Sequence, residues 1–244
     1  MDLTEIGKGD VLRHPWELSR LQSIIYIIKK KNHATMADIG SGDAYFAEEV
    51  CKATGREIYA CDIHYDDLES TLPGLTKVSS ISTIPIGSIN LALLLDVLEH
   101  VEDEDAFLRE VSSLLEKDGK MIVTVPAFQW LFGEHDVFLK HFRRYTKEKL
   151  QQVLHRNDFV VEKSFYFYTS LFLLRAVSTA LSRTRGRKKY TTVVSNWKYS
   201  KEHPMTRLLV FLLNVDFRLN RFLSNTLKIN LPGLSVCAIV KKSA

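Results

Sequence analysis

Apolar residues along this chain fall into two spacings that alternate. Ile58-Tyr59-Ala60-Cys61, Ile89-Asn90-Leu91-Ala92-Leu93-Leu94-Leu95 and Met121-Ile122-Val123-Thr124-Val125-Pro126 are short runs, the middle one apolar on both faces as a central parallel strand should be. Between and beyond them, Phe46, Val50 and Ala53, then Phe107, Leu108, Val111, Leu114 and Leu115, then Leu150, Val153 and Leu154 recur at helical spacing. Weaker signals predict a short helix around Tyr65–Ser70 and a strand over Leu75–Val78. Phe159–Phe165 and Leu234–Val240 read as the last two strands, Gly119 as a helix stop and Thr146 as an N-cap. Strand and helix in alternation predict an α/β fold with a mostly parallel sheet and helices on both faces.

Two segments lie outside that alternation. Leu18, Leu21, Ile24, Ile25 and Ile28 form a stripe that starts after Pro15 and stops in Lys29-Lys30-Lys31, an amphipathic helix with a cationic end. In the second, residues 168–232 separate the last two strands and are too apolar and periodic for a linker. Leu171–Val177 is too short and interrupted to cross a membrane. Leu208, Phe211, Leu212, Val215, Leu219 and Phe222 form one helical face, with Arg207, Asn214, Arg218 and Arg221 set opposite. The expected division is a leading helix over 1–32, a core over 33–167, an insertion over 168–232 and a final core strand over 233–244.

Charge sharpens this picture. Residues 1–139 hold 12 Lys and Arg against 24 Asp and Glu, while 140–244 hold 21 against 5, so the two parts carry −12 and +16. Such polarity points to an anionic partner for the C-terminal part: nucleic acid, a phosphorylated substrate or a membrane surface. Seven of the cations (Arg183, Arg185, Arg187, Lys188, Lys189, Lys198, Lys201) fall within residues 182–201, which contain no acid. The insertion therefore reads either as a membrane-surface element or as a helical lid with its cations in water. Cys51, Cys61 and Cys237 are too few and too scattered for a disulfide framework or a zinc site, and with no secretory signal at the start a reducing cytoplasm is expected.

The candidate chemistry begins at Ala37-Asp38-Ile39-Gly40-Ser41-Gly42-Asp43-Ala44-Tyr45, which predicts strand, tight glycine turn, helix. A dinucleotide site would place a small residue three positions after the second glycine, but Tyr45 stands there, so NAD and FAD are excluded. Asp38 two residues before Gly40 suits a cationic ligand or the loop amides, and Asp62, at the end of the next strand, can accept ribose hydroxyls.

Asp38-Ile39-Gly40-Ser41-Gly42 resembles the opening motif of class I S-adenosylmethionine methyltransferases. Leu95-Asp96-Val97-Leu98-Glu99-His100-Val101 is similar to the segment that ends the fourth strand in members acting on small molecules or lipids. His14-Pro15-Trp16-Glu17 and His135-Asp136 with His141-Phe142-Arg143-Arg144-Tyr145-Thr146 resemble a bacterial subset associated with glycan or lipid-linked pathways. The resemblance implies a Rossmann-like, seven-stranded sheet and S-adenosylmethionine as methyl donor, with S-adenosylhomocysteine as product. It implies Asp38, Gly40, Ser41, Gly42, Asp62, Ile63 and Asp96 as cofactor contacts, with Ser80 where many members place an acid for the adenine amine. His100, Arg143, Arg144 and Tyr145 are expected at the acceptor.

Methyl transfer is an in-line displacement, so the chain must position an acceptor and remove its proton. His135 and His141 are the base candidates, with Asp136 to orient one of them and the arginines to grip an anion. No spacing here is specific for a metal, and none is expected. The expectation is methyl transfer to a small or lipid- or glycan-linked, anionic acceptor. The alternatives are an RNA-modifying methyltransferase, which the basic half suits although no RNA-binding module is recognisable, and a non-catalytic cofactor-binding protein.

Overall fold

The computed structural model describes residues 12–29, 34–65, 69–184 and 197–243. Its elements run α1 (Pro15–Ile28), β1 (Thr35–Ile39), α2 (Tyr45–Thr54), β2 (Glu57–Cys61), β3 (Leu75–Val78), β4 (Ile89–Leu95), α3 (Glu104–Leu114), β5 (Leu115–Pro126), α4 (Glu134–Phe138), α5 (Lys147–Arg156), β6 (Phe159–Phe167), α6 (Thr169–Thr184), α7 (Pro204–Phe222) and β7 (Ser235–Lys242). The seven strands form one sheet in the order β3-β2-β1-β4-β5-β7-β6. All neighbours are parallel except β7, which runs antiparallel to both β5 and β6. The order reverses between β1 and β4, and a crevice opens at such a switch beyond the C-terminal ends of the strands.

Apolar side chains of both strand faces are buried, which explains why the central runs show no alternation. One layer packs Leu108 and Val111 of α3 and Leu150 and Val153 of α5 on the sheet. The other packs Leu21 and Ile24 of α1, Val50 of α2 and Leu213 and Phe217 of α7. Caps match local chemistry: the Asp103 and Thr146 side chains accept from Ala106 N–H and Lys149 N–H at the starts of α3 and α5. His14 does the same for α1, its Nδ1 accepting from Trp16 N–H, with Pro15 in the first turn.

The helix stop expected at Gly119 is corrected. The third helix stops at Leu114 and β5 begins at Leu115, with the register against β4 shifting so that Ile89 faces Leu115 and Leu91 faces Lys120. Gly119 therefore lies inside a strand irregularity. A Cβ there would lie 2.9 Å from both Glu116 O and Leu115 Cβ, so glycine answers to close packing rather than to a helix end. No helix forms at Tyr65, Glu69 or Ser70, and residues 66–68 lie outside the described ones. Lys30, Lys31, Arg185, Arg187, Lys188 and Lys189 also lie outside them, as does the side chain of Arg183.

The seating of α7 bears on the two readings of the insertion. The apolar face read from the sequence, Leu208, Phe211, Leu212, Val215, Leu219 and Phe222, is turned outward, with Phe211 62% exposed. Val210, Leu213 and Phe217 are buried instead, and Phe217 meets Phe165 and Phe167 at ring distances of 5.4 and 5.2 Å. Polar contacts fix this orientation: Ser19 and Ser23 of α1 donate to Asn214 Oδ1, and Asp216 accepts from Thr169 N–H and Ser170 N–H at the start of α6. Arg218 and Arg221 flank the helix and lie over the Tyr26 ring at 4.9 and 5.7 Å. Helix α7 thus has two opposed apolar faces, one inside and one outside. Phe217→Ala is expected to cost about 3–5 kcal/mol and Phe211→Ala no more than about 0.5 kcal/mol. Urea unfolding of the two variants measures the difference, and equal losses would mean that the helix is seated the other way round.

Candidate functional site

Strand β1 lies between β2 and β4 and delivers the glycine turn to the crevice. Gly40 N–H and Ser41 N–H both donate to Cys61 O, at 2.8 and 3.0 Å, which folds the turn back on the end of β2. Gly40 has φ +72, and a Cβ on it would lie 2.7 Å from Val97 Cγ2. Only glycine lets the backbone turn there while the loop after β4 closes against it. Gly42 N–H donates to Asp62 Oδ2 at 2.8 Å, and the Ser41 hydroxyl lies 2.6 Å from the Tyr65 hydroxyl.

Asp62 Oδ1 also accepts from the backbone and ring of His64, both at 3.0 Å. Three of the roughly four acceptor positions of this carboxylate are therefore taken. A diol can be held by both oxygens only if the exposed His64 ring swings away. Of the other expected cofactor contacts, Ser80 is used locally, its Oγ accepting from Ser82 N–H, and Ile63 is almost fully exposed.

The charges above the turn come from α1 and from Arg13 just before it, and these were not read from the sequence. Arg13 pairs with Glu17 at 2.7 Å and with Asp43 in the turn, and its guanidinium lies 4.1 Å over the Tyr45 ring. Arg20 is buried, pairs with Asp96 beyond β4, and lies 4.9 Å over the Trp16 ring. Asp96 adopts φ +58 and accepts from the Thr124 hydroxyl at 2.9 Å, so its position is fixed from two sides. The His14-Pro15-Trp16-Glu17 stretch was the available signal, since it starts the helix that carries these arginines.

Asp38 is 2% exposed, and its Oδ2 has no hydrogen-bond partner. Burial pushes its carboxyl up to about 7, assisted by Asp62 and Asp43 and opposed by Arg20. A buried acid with an unmet oxygen, beside a turn that tolerates no Cβ, fits a cofactor bearing a cationic amine and a nucleoside. S-adenosylmethionine is such a molecule.

On the far side, β5 leads into Ala127–Tyr145. Asp136 is completely buried and accepts from Gly133 N–H (2.9 Å), His141 Nδ1–H (2.9 Å) and Arg144 Nε–H (2.7 Å). Burial alone would push its carboxyl up, but the bonds from His141 and Arg144 outweigh it and hold the group well below the usual carboxylate range. Asp136 thus positions other groups and cannot itself touch an acceptor.

The arginines and the tyrosine are corrected as acceptor contacts. Arg144 is buried and also donates to Ala127 O. Arg143 donates to Glu102 O at 2.9 Å and pairs with Glu104 at 3.2 Å. Tyr145 is a core residue whose hydroxyl donates to Glu104 Oε2 at 2.7 Å. Each meets a carboxylate of the chain itself, Asp136 or Glu104, so the basic block is internally neutralised. His135 is half-buried, and burial lowers its pKa, so its imidazole is neutral at neutral pH. His100 and His141 face each other edge to face at 4.5 Å. Glu99, beside His100, was not singled out by sequence; it is buried, and burial pushes its carboxyl up to about 8.

Residues 20–164 match the profile of a family described as a methyltransferase domain. The chain belongs to that family. It is a class I methyltransferase with S-adenosylmethionine as donor. Its fold is similar to that of an S-adenosylmethionine-dependent methyltransferase from Archaeoglobus fulgidus, at 18% identity and TM-score 0.56 over 93% of this chain and 94% of that one. It is likewise similar to Burkholderia thailandensis 1,6-didemethyltoxoflavin-N1-methyltransferase, solved with S-adenosylhomocysteine, at 11% identity and TM-score 0.54 over 93% and 78%. A third is phosphoethanolamine N-methyltransferase 2 from Haemonchus contortus, at 14% identity and TM-score 0.54 over 91% and 52%. No match to a curated protein sequence was found.

Two outcomes test the donor side of this methyltransferase. Asp62→Ala is expected to weaken S-adenosylmethionine binding by about 1.5–3 kcal/mol, the scale of a hydrogen bond to a charged group; unchanged calorimetric affinity would remove Asp62 from the site. The second concerns pH. An acid whose folded pKa lies above its unfolded one keeps its proton longer in the fold, so stability falls as pH climbs from the ordinary carboxylate range towards about 7. Asp38→Asn should therefore gain stability relative to the native chain between pH 4.5 and 7, read as urea midpoints without cofactor. A difference that stays flat with pH would mean that Asp38 is ionised throughout.

Proposed function

We propose that this methyltransferase acts on a small or lipid- or glycan-linked anionic acceptor, with its α6–α7 insertion resting on an anionic membrane surface. The observation that carries the reading is the outward apolar face of the insertion. Besides the six exposed residues of α7, Leu173, Leu174, Val177 and Leu181 of α6 and Leu227, Ile229 and Leu231 after α7 are exposed. No described side chain of α6 is fully buried. An apolar face of this extent on a water-soluble surface calls for an occupant.

Charge favours a lipid surface as that occupant. Residues 182–201, from the end of α6 to the approach to α7, carry seven cations and no acid, and Lys201, Arg207 and Lys228 are exposed. An apolar face edged by cations suits the boundary of an anionic bilayer, where each cation contributes about 1 kcal/mol. Trp197 and Tyr199 stand beside the start of α7 with rings 5.3 Å apart, and such side chains favour the level of lipid headgroups. No helix among the described residues is long and apolar enough to cross a membrane, which agrees with a surface element.

The acceptor end of the crevice is joined to this face by aromatic rings. Phe128 adopts φ +61 at the end of β5, and its ring lies 5.3 Å from Phe172 of α6, which meets Trp130 at 5.9 Å. A side chain held in that backbone conformation marks a position the surroundings over-determine. The donor supplies an electrophilic methyl group on a sulfonium. The chain's part is to exclude water with α1, hold the acceptor in line and take its proton. We assign that proton to His135, whose imidazole is neutral at neutral pH. By their names, two of the structural relatives methylate small molecules, one of them phosphorylated.

Vesicle sedimentation tests the surface. The native chain is expected to pellet with phosphatidylglycerol vesicles, to stay in solution with phosphatidylcholine, and to be released by salt. Phe211→Glu with Leu219→Glu should reduce pelleting at least tenfold without lowering the unfolding temperature. Failure to pellet, or concentration-dependent dimerisation that the same pair abolishes, would make the face an interface between proteins instead. A labelled methyl donor supplied with cell extract tests the acceptor: label should enter the lipid-linked fraction. Label in RNA would favour the RNA-modifying alternative, and no transfer to any fraction the non-catalytic one.

A further inference from the structure

Three side chains on the acceptor side bring metal-ligand atoms together from two separated segments. Glu99 and His100 belong to the 3₁₀ turn Leu98–His100 that follows β4, and His141 follows α4. One ligand atom from each lies within 4.8 Å of the others. The two segments are tied by the backbone, with Phe142 N–H donating to Glu99 O at 2.7 Å. This spacing is built into the fold rather than left to surface side chains.

Two independent observations show what the cluster lacks. Glu99 is 1% exposed, and neither of its carboxylate oxygens has a hydrogen-bond partner. The nearby buried cations Arg20 and Arg144 act on it only through space, since they make their ion pairs with Asp96 and Asp136. A buried acid left in this way either keeps its proton or is joined by a cation. The other observation is the orientation of His141. Asp136 also accepts from Gly133 N–H and Arg144 Nε–H, so His141 donates to it through Nδ1 and Nε2 is the ring nitrogen left for a ligand contact. A carboxylate that fixes the tautomer of an imidazole in this way is the usual support of a metal-bound histidine.

We propose that Glu99, His100 and His141 bind one divalent transition cation of the zinc, iron(II) or manganese type, with positions left open for an oxygen of the acceptor. Two imidazoles and one carboxylate suit such ions, whereas magnesium and calcium favour all-oxygen surroundings. Three protein ligands leave room for an exogenous one. A hydroxyl bound there would lose its proton more readily, and a phosphate would be held by charge. The acceptor's place on the cation rests on the methyltransferase reading. Cation binding itself does not.

The test uses the full chain, stripped with a chelator and titrated with Zn²⁺, Mn²⁺ and Mg²⁺ by calorimetry and thermal unfolding. One equivalent of Zn²⁺ or Mn²⁺ should bind and raise the unfolding temperature, with Mg²⁺ at least tenfold weaker. Glu99→Gln, which keeps the side-chain shape, and His141→Ala should each weaken binding at least a hundredfold. Asp136→Asn, which alters only the support of His141, should weaken it about 10–100-fold, and His135→Ala should leave it unchanged. No stoichiometric binding, or equal binding by Glu99→Gln and the native chain, would overturn the proposal and leave Glu99 a buried neutral acid. S-adenosylmethionine affinity measured on the same samples separates the two readings: its absence in the native chain would sink the methyltransferase reading while the cation result stands.

Discussion

Burial of Arg20 among carboxylates is the constraint on which the crevice depends. Its guanidinium pairs with Asp96 and lies close enough to Asp38 and Glu99 to act on both, while burial and the charge itself oppose one another in its own pKa. Removing one member of such a buried pair costs about 3–5 kcal/mol, because the other is left without compensation, although an apolar replacement of both can be nearly neutral. The pair is therefore better understood as a positioning device than as a source of stability. It holds α1 against the loop after β4, as Arg13 holds it against Asp43. Asp96 is the hinge of this arrangement, since Thr124 of β5 fixes it from below.

That anchoring extends to the insertion. Ser19 sits next to Arg20 in α1 and donates to Asn214 of α7, and Tyr168 donates to Ser19 from the point where α6 begins. Helix α1 is thus bonded to the helix whose opposite face is apolar and exposed. An occupant of that outer face would bear on α7, which these hydrogen bonds tie to α1.

The scaffold was legible because its signals are local. Apolar runs at parallel-strand length, a glycine turn with Asp38 before it and Asp62 at the next strand end, and an excluded small residue at Tyr45 needed no tertiary information. The acceptor side was not legible in the same way. Arg143, Arg144 and Tyr145 read as an anion grip, but Glu104 and Asp136, distant in sequence or already assigned another role, meet them first. Periodicity at α7 left the seating open for a related reason: it reports that a face is apolar, and cannot say which of two apolar faces packs on α1 and the sheet. Glu99 escaped notice because what distinguishes it is the absence of a partner, which no sequence spacing records.

The charge of the acceptor pocket connects these features. Asp136 and Arg144 cancel, and burial keeps Glu99 protonated up towards about 8, so the side chains of the cluster offer an anionic acceptor no positive charge. A divalent cation on Glu99, His100 and His141, bound as Glu99 gives up its proton, would supply that charge. It also uses His141 as a ligand, which leaves His135, outside the donor set and neutral at neutral pH, as the group able to take a proton. Long-range attraction to the surface and short-range binding of the acceptor then have the same polarity, a consistency that the protein side chains alone do not provide.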